Sequence, residues 1–193
     1  PVTSNNAIHR LTQNISHTIS EFTTAIFIDR QERRNNSKFL KIDAQITEAM
    51  LKQRNIIDAF IFKSTDATQL KKNTLSLLRF SRAIYHYILF IDTALWENRL
   101  EKAGHTEAMQ CAIQPFMLAF CKVLQQPDNH PDAIESINTE LQQTIEEFST
   151  ITNREQLNEK EKERQHAIQF ALRRMVYCID KIILANHRML KIK

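Results

Sequence analysis

The chain has 193 residues, of which 42% are hydrophobic and 25% charged, a composition typical of a globular protein and too apolar for a disordered one. Its 26 basic and 22 acidic residues leave a net charge of +4, an excess too small and too mixed to indicate nucleic-acid binding. The single glycine, Gly104, excludes glycine-rich phosphate loops and the nucleophile elbow of hydrolases.

Apolar residues recur every three or four positions along most of the chain, as at Ile8, Leu11 and Ile15, and this spacing predicts amphipathic helices. Six helices are predicted, at about residues 5–33, 37–63, 66–103, 106–126, 132–152 and 153–191. The third is the most apolar, so we expect it to be the central helix. The predicted fold is all-α: an elongated bundle of about six helices arranged as antiparallel helical hairpins.

A few residues divide this helical pattern. Gly104 is predicted to cap the C-terminus of the third helix, and Pro115 to kink or divide the fourth. We predict one all-helical domain over residues 1–193, with the breaker sequence at 127–131 as the place for any sub-domain boundary. The chain starts at Pro1 and stops within a helical pattern, so we expect it to be an excised piece of a longer protein.

One internal similarity links the two ends of the chain. The segment Leu11–Thr24 resembles Ile137–Thr150, including a shared Thr-Ile-x-Glu-Phe sequence. A duplicated helical hairpin would explain the similarity, with the first two helices matching the last two. Chance agreement between two amphipathic helices is the alternative, and the sequence leaves both open.

No pattern of metal ligands or catalytic residues stands out. Glu163 and His166 have the Glu-x-x-His spacing of di-iron bundles, but the second such pair that those sites need is missing. The three cysteines, Cys111, Cys121 and Cys178, are interpreted as small buried hydrophobic residues in a reducing compartment. We therefore predict no enzyme activity, no catalytic residues, no metal and no cofactor.

Basic residues form three clusters along the chain. Each is interpreted either as an ordinary solvated face or as a surface for anionic lipid head groups or an acidic partner. The first is the strongest candidate for such a surface, and it contains Arg30, Arg33, Arg34, Lys38 and Lys41. The second contains Lys71, Lys72, Arg79 and Arg82, and the third contains Arg173, Arg174, Lys181 and Arg188.

Polar residues on the third helix are the first place to look for a ligand site, because polar groups on an enclosed helix must be paired or hydrogen-bonded. The candidate residues are Arg82, Tyr85, His86, Asp92 and Arg99. Asp92 could pair with Arg99 or with Arg82. A structural hydrogen-bond network is the alternative to a ligand pocket.

The segment Leu75–Leu95, preceded by long helices with a turn at residues 29–33, resembles part of a bacterial family. It is similar to the soluble helical region of fusaric-acid-resistance and aromatic-acid-exporter membrane proteins, over about residues 8–103. The resemblance implies a helical domain on the cytoplasmic side of a bacterial inner membrane, itself without a transmembrane helix. It rests on helical texture, so it carries over no site residue and no transport activity.

The sequence therefore leaves two alternative functions. The first is a non-catalytic cytoplasmic domain of a larger transporter-like membrane protein, serving assembly or regulation. The alternative is a stand-alone helical interaction, adaptor or ligand-sensing module. The expected partners are other parts of the same membrane protein, a second copy of the chain and an anionic membrane surface, but not nucleic acid.

Overall fold

The computed structural model describes residues 4–28, 37–60, 67–97, 103–126, 129–153 and 157–191. In these ranges the protein consists of six α-helices and two short helical turns, without a strand, and the helices pack as a bundle. The prediction of an all-α bundle is confirmed. The helices are α1 Ser4–Thr23, α2 Ser37–Phe60, α3 Ala67–Glu97, α4 Ala103–Leu124, α5 Ile134–Asn153 and α6 Glu159–Leu190.

Contacts between side chains show that the packed helices run antiparallel. Along α3 and α6, Thr74 contacts Met189 and Phe80 contacts Tyr177, so the residue number falls on one helix as it rises on the other. Asn138 contacts Asp180 and Thr152 contacts Gln165, which gives the same direction for α5 and α6. Helix α6 therefore packs between α3 and α5, and its contact with α3 is the most extensive in the bundle.

A single cluster of buried apolar side chains forms the core of the described residues. It draws on all six helices, because each presents apolar residues at intervals of three and four on one face. Residues before and after the 127–131 breaker belong to this same cluster. Fully buried examples are Ile15, Ile88, Phe116, Phe148 and Leu172.

Helix α1 ends in a π-helical turn, Thr24–Ile28, that packs against α4 through polar contacts. The Gln114 amide donates to the Phe27 carbonyl at 3.1 Å, and the Cys121 sulfur lies 3.9 Å from the Thr24 hydroxyl oxygen. Burial raises the pKa of Cys121, so its thiol stays neutral. The predicted extension of the first helix to residue 33 lies partly outside the described residues, but its α-helical part stops at Thr23.

Several predicted helix boundaries are wrong. Gly104 does not cap the third helix, since α3 ends at Glu97 and Gly104 lies in the first turn of α4. Of the two effects predicted for Pro115, a kink or a division of the fourth helix, the division is wrong, since α4 continues through Pro115. Helix α6 starts at Glu159 instead of residue 153, because Asn158 and Glu161 form a capping box that satisfies two amide groups of its first turn.

The sequence predicts that all three cysteines are buried, and for one of them this prediction is wrong. Cys121 and Cys178 are buried, whereas Cys111 is exposed on α4. The internal similarity falls on two pairs of neighbouring helices, α1 with α2 and α5 with α6, and duplication remains a hypothesis. Among the helices described, none is both long enough and apolar enough to cross a membrane.

Candidate functional site

Helices α3 and α6 each carry a second stripe of residues beside the stripe that enters the core. On α3 this stripe contains Phe80, Ala83, Tyr87 and Phe90, and on α6 it contains Phe170, Arg174, Tyr177 and Lys181. The steps of three and four keep each stripe on one side of its helix. Because the helices are antiparallel neighbours, the two stripes border one groove. We call these eight residues, together with Arg79, the α3–α6 face.

Two contacts join the stripes across the groove. The rings of Phe80 and Tyr177 meet edge to face, with centroids 6.0 Å apart and planes at 75°. The Arg174 Nε donates a long hydrogen bond, 3.5 Å, to the Tyr87 hydroxyl oxygen. Edge-to-face geometry is favourable because the electropositive ring edge meets the electronegative ring face. These contacts join the aromatic residues of α3 to those of α6.

Three cations lie on the aromatic rings of this face. The guanidinium carbon of Arg174 is 4.7 Å from the Tyr177 ring centroid, and the Lys181 Nζ is 4.9 Å from it. The Arg79 guanidinium carbon is 6.0 Å from the Phe80 ring centroid. These distances are within the range of cation–π attraction, which holds a charge near a ring without neutralising it.

The positive charge of the face is not balanced by ion pairs. Of the ion pairs that join described residues, none includes Arg79, Arg174 or Lys181. Asp180 follows Tyr177 on α6, but its carboxylate accepts from the Asn138 amide on α5 at 3.0 Å. The groove therefore presents a positive potential to solvent, which attracts anionic groups.

Large aromatic side chains are also exposed on this face. Phe170 is 60% exposed, Phe90 45% and Tyr177 41%. Phe90 lies three residues beyond Tyr87 and Phe170 four residues before Arg174, so both phenylalanines lie at the same end of the groove. A cluster of exposed large apolar side chains beside polar groups is typical of an interaction surface.

Cys178 lies beneath the face and is buried. Burial raises the pKa of its thiol to about 11, although the nearby charges of Arg174 and Arg79 act in the opposite direction. The thiolate is the nucleophilic form of cysteine, so this residue stays unreactive near neutral pH. The chemistry that the α3–α6 face offers is binding through charge and aromatic surface.

The face unites two of the basic clusters that the sequence kept apart. Arg79 comes from the second cluster, while Arg174 and Lys181 come from the third, and the antiparallel packing of α3 on α6 brings them together. Sequence reasoning missed the aromatic residues Phe80, Tyr87 and Tyr177 that hold these cations. A second stripe with steps of three and four, next to the core stripe, was the signal that could have revealed them.

The candidate ligand residues of the third helix do not converge on one pocket. Arg82 and His86 are exposed, and Asp92 is buried. Tyr85 is half-buried against Phe22, with ring centroids 5.4 Å apart. Arg82 and Asp92 are ten residues apart, about 15 Å along one helix, so they cannot pair directly within α3. Arg99 lies outside the described residues.

Most of the first basic cluster also lies outside the residues that the structure describes. This applies to Arg30, Arg33 and Arg34, and to the side chain of Lys38, whereas Lys41 is exposed on α2. A lipid or acidic-partner surface at this cluster stays a prediction. Glu163 and His166 are exposed on α6. In the described part of the chain, no group of three or more His, Cys, Asp or Glu side chains could hold a metal ion.

A second, open groove lies along α5, and Ile134, Asn138, Gln142 and Leu184 contribute to its lining. Next to it, the half-buried Asp180 carboxylate accepts a hydrogen bond from Asn138. Burial raises the pKa of Asp180, and the hydrogen bond from Asn138 and the charge of Lys181 oppose this effect only in part. The folded protein therefore holds the proton of Asp180 more tightly than the unfolded chain does.

This pKa shift predicts a pH-dependent stability. Stability contributed by the protonated carboxyl is fully present below its ordinary pKa of 3.8 and is lost as the pH rises through the raised value. Asp180→Asn is therefore expected to raise the melting temperature at pH 7, with the gain shrinking as the pH falls through the raised pKa of Asp180 and no longer changing below its ordinary pKa of 3.8. Thermal melts monitored by circular dichroism at several pH values measure this. The exposed substitution Glu163→Gln is the control, and an Asp180→Asn gain that does not depend on pH would contradict the assignment.

Comparisons with family models, curated proteins and solved structures find no match for this chain. The function is therefore inferred from the geometry of the α3–α6 face itself.

Proposed function

We propose that this chain is a non-catalytic helical docking domain whose α3–α6 face binds an anionic partner. The observation that carries the proposal is the position of three cations on aromatic rings of two packed helices, Arg79 on the half-buried Phe80 ring and Arg174 and Lys181 on the exposed Tyr177 ring. Such an arrangement combines the two residue types, arginine and aromatic, that are enriched in the energetically important parts of interfaces.

The arrangement of the three cations is better suited to binding a partner than to stabilising the folded bundle. An ion pair within the bundle would use their charge for stability, but none of the ion pairs between described residues includes them, and on this face they contact aromatic rings. Each ring restrains its cation, which lowers the entropy lost when a partner carboxylate binds. Charge-assisted hydrogen bonds from arginine and lysine to a carboxylate are stronger than neutral ones.

The experiment compares two double variants that remove the same types of charge. Arg174→Gln/Lys181→Gln removes two of the three cations of the face, and Arg10→Gln/Lys122→Gln neutralises exposed residues on α1 and α4. Binding of a fluorescent poly-glutamate peptide is measured by anisotropy at increasing salt concentration. We expect the first variant to bind at least about tenfold more weakly than the wild type, equivalent to about 1.4 kcal/mol. We expect the second variant to bind almost as well as the wild type.

The salt series provides a second criterion. The wild-type affinity is expected to fall as salt rises, because the charges on the face are exposed and screened. Absence of wild-type binding at low salt, or equal weakening by both double variants, would contradict a specific anionic docking face.

The sequence supports a further proposal about the larger protein to which this domain would belong. The resemblance of Leu75–Leu95 to the helical region of fusaric-acid-resistance proteins supports a role as a cytoplasmic assembly or regulatory domain of a larger transporter-like membrane protein. Helix α3 contains this whole segment and forms one side of the α3–α6 face. In that setting the anionic partner would be another part of the same protein.

The full-length coding sequence separates this setting from a stand-alone adaptor. The transporter hypothesis predicts apolar segments of about 20 residues in the same reading frame, before or after the present chain. A complete reading frame without such segments would rule out the transporter setting and favour the stand-alone module, while the proposed docking face would be unaffected.

A further inference from the structure

We infer that the partner is an acidic amphipathic α-helix that lies in the groove between α3 and α6. This inference rests on the proposed docking function, for which it names the class of partner. Its evidence is the spacing, the size and the charge of the residues along the groove.

The spacing along both walls of the groove fits a helix. On α3 the stripe at positions 80, 83, 87 and 90 alternates steps of three and four, and on α6 the stripe at 170, 174, 177 and 181 does the same. This alternation is the seam by which a helix packs against another helix. The core-facing seam of α3 is a different one and includes Leu77, Ile84, Ile88 and Ile91, each 0% exposed. Helix α3 therefore carries two seams, and the outer one remains partly open to solvent.

The sizes of the side chains along α3 leave room for a partner. Ala83, which is half-buried, lies between Phe80 and Tyr87. A small residue between large ones forms a hole into which a side chain of a packed helix can insert. A leucine-sized residue on a partner helix would fill this hole, and apolar residues further along it would cover Phe90 and Phe170.

The positive charges of the α3–α6 face determine which charged residues a partner helix would carry. Arg174 and Lys181 are seven residues apart, which places them on the same side of α6, two turns or about 10.5 Å from each other. Carboxylates with a seven-residue spacing on a partner helix would face both cations. Arg79 borders the same half of the groove, on the ring of Phe80. The complementary helix is therefore acidic along one half and apolar along the other.

The same geometry argues against a lipid surface as the occupant. A membrane is best bound by aromatic and basic side chains that project together from a surface. Here the Tyr177 ring packs edge to face with Phe80, and Arg174 donates to Tyr87, so these groups contact the neighbouring helix of the bundle. An apolar strip between two helices is instead typical of a site for an amphipathic helix.

Three probes test the inference on the full chain. The first is a synthetic helix with glutamates seven residues apart in one half and leucines at steps of three and four in the other. The second has the same composition in scrambled order, and the third is a vesicle of phosphatidylcholine and phosphatidylserine. We expect the patterned helix to bind at least about tenfold more tightly than the scrambled peptide, measured by anisotropy.

Two variants check that the patterned helix occupies the groove. Ala83→Leu fills a hole without changing charge, and Phe90→Ala removes exposed aromatic surface at little risk to folding. Each is expected to weaken binding of the patterned helix at least about fivefold and to leave poly-glutamate binding unchanged. Thr93→Leu, an exposed substitution on α3, is the control and is expected to have no effect.

The outcomes separate this inference from the proposed function. Equal binding of the patterned and scrambled peptides would overturn the helix inference and leave an anionic docking face. Tighter binding to the vesicles than to either peptide, lost in Phe170→Ala, would replace the helix with a membrane. Self-association of the wild type that is abolished by Ala83→Leu would assign the groove to a second copy. If no anionic probe binds, the proposed function fails as well.

Discussion

Replacement of Phe116 by alanine is expected to lower the free energy of unfolding by about 3–5 kcal/mol. The Phe116 side chain is 0% exposed, lies in α4 and stacks on Phe120 with ring centroids 5.6 Å apart. Removing it exchanges buried apolar surface for a cavity that the surrounding helices can fill only in part. Urea unfolding followed by circular dichroism at 222 nm measures the loss.

The matched control for this variant is Phe170→Ala on α6. The same atoms are removed there, but the Phe170 side chain is 60% exposed, so the expected change is at most about 0.5 kcal/mol. Similar losses in the two variants would show that the assignment of buried and exposed faces is wrong. A stable Phe170→Ala protein is also needed to interpret its binding to vesicles.

The second large effect is expected at the end of the α5–α6 hairpin. Gln165 is 2% exposed, and its amide nitrogen donates to the Thr152 hydroxyl and, at 3.0 Å, to the Asn153 side chain. These bonds join the last turn of α5 to α6. Gln165→Ala removes both donors and leaves a gap beside buried polar atoms, so we expect a loss of about 1–3 kcal/mol.

An exposed glutamine on α5 serves as the control for Gln165. Gln143→Ala removes only a 3.3 Å contact with Glu147 on the solvent side, and the expected change is at most about 0.5 kcal/mol. Urea unfolding of both variants measures the difference. Equal stability of the two would mean that the contacts of Gln165 contribute nothing beyond helix propensity.

The helical boundaries show where local reasoning fails. The apolar stripes located all six helices, because a side chain that must enter a core recurs with the period of the helix. The helix ends follow less directly from the sequence. Gly104 has the residue type of a C-cap but lies in the first turn of α4, and the Asn158–Glu161 capping box lies within a charged segment. A helix end depends on a few hydrogen bonds, so its signal is much weaker than that of a repeated stripe.

The candidate site shows a different limit. The basic clusters of Arg79 and of Arg174 with Lys181 were visible in the sequence, but they are about a hundred residues apart, and nothing local indicated that they meet. The polar residues of α3, such as Arg82 and His86, were grouped because they share a helix. Rotation around that helix places them toward solvent and away from Asp92. Nearness in sequence does not imply a shared face.

By itself, the sequence determined the all-α class, the number of helices and the residues that enter the core, because these follow from the period of apolar side chains within single helices. Only the tertiary structure decided that α6 packs antiparallel against α3, and with which register. That register brings Tyr177 against Phe80 and Arg174 against Tyr87. This register depends on how side chains that are far apart in the chain fit together, so it cannot be predicted from any local sequence pattern. The α3–α6 face, and the docking function proposed for it, exist only as a consequence of that packing.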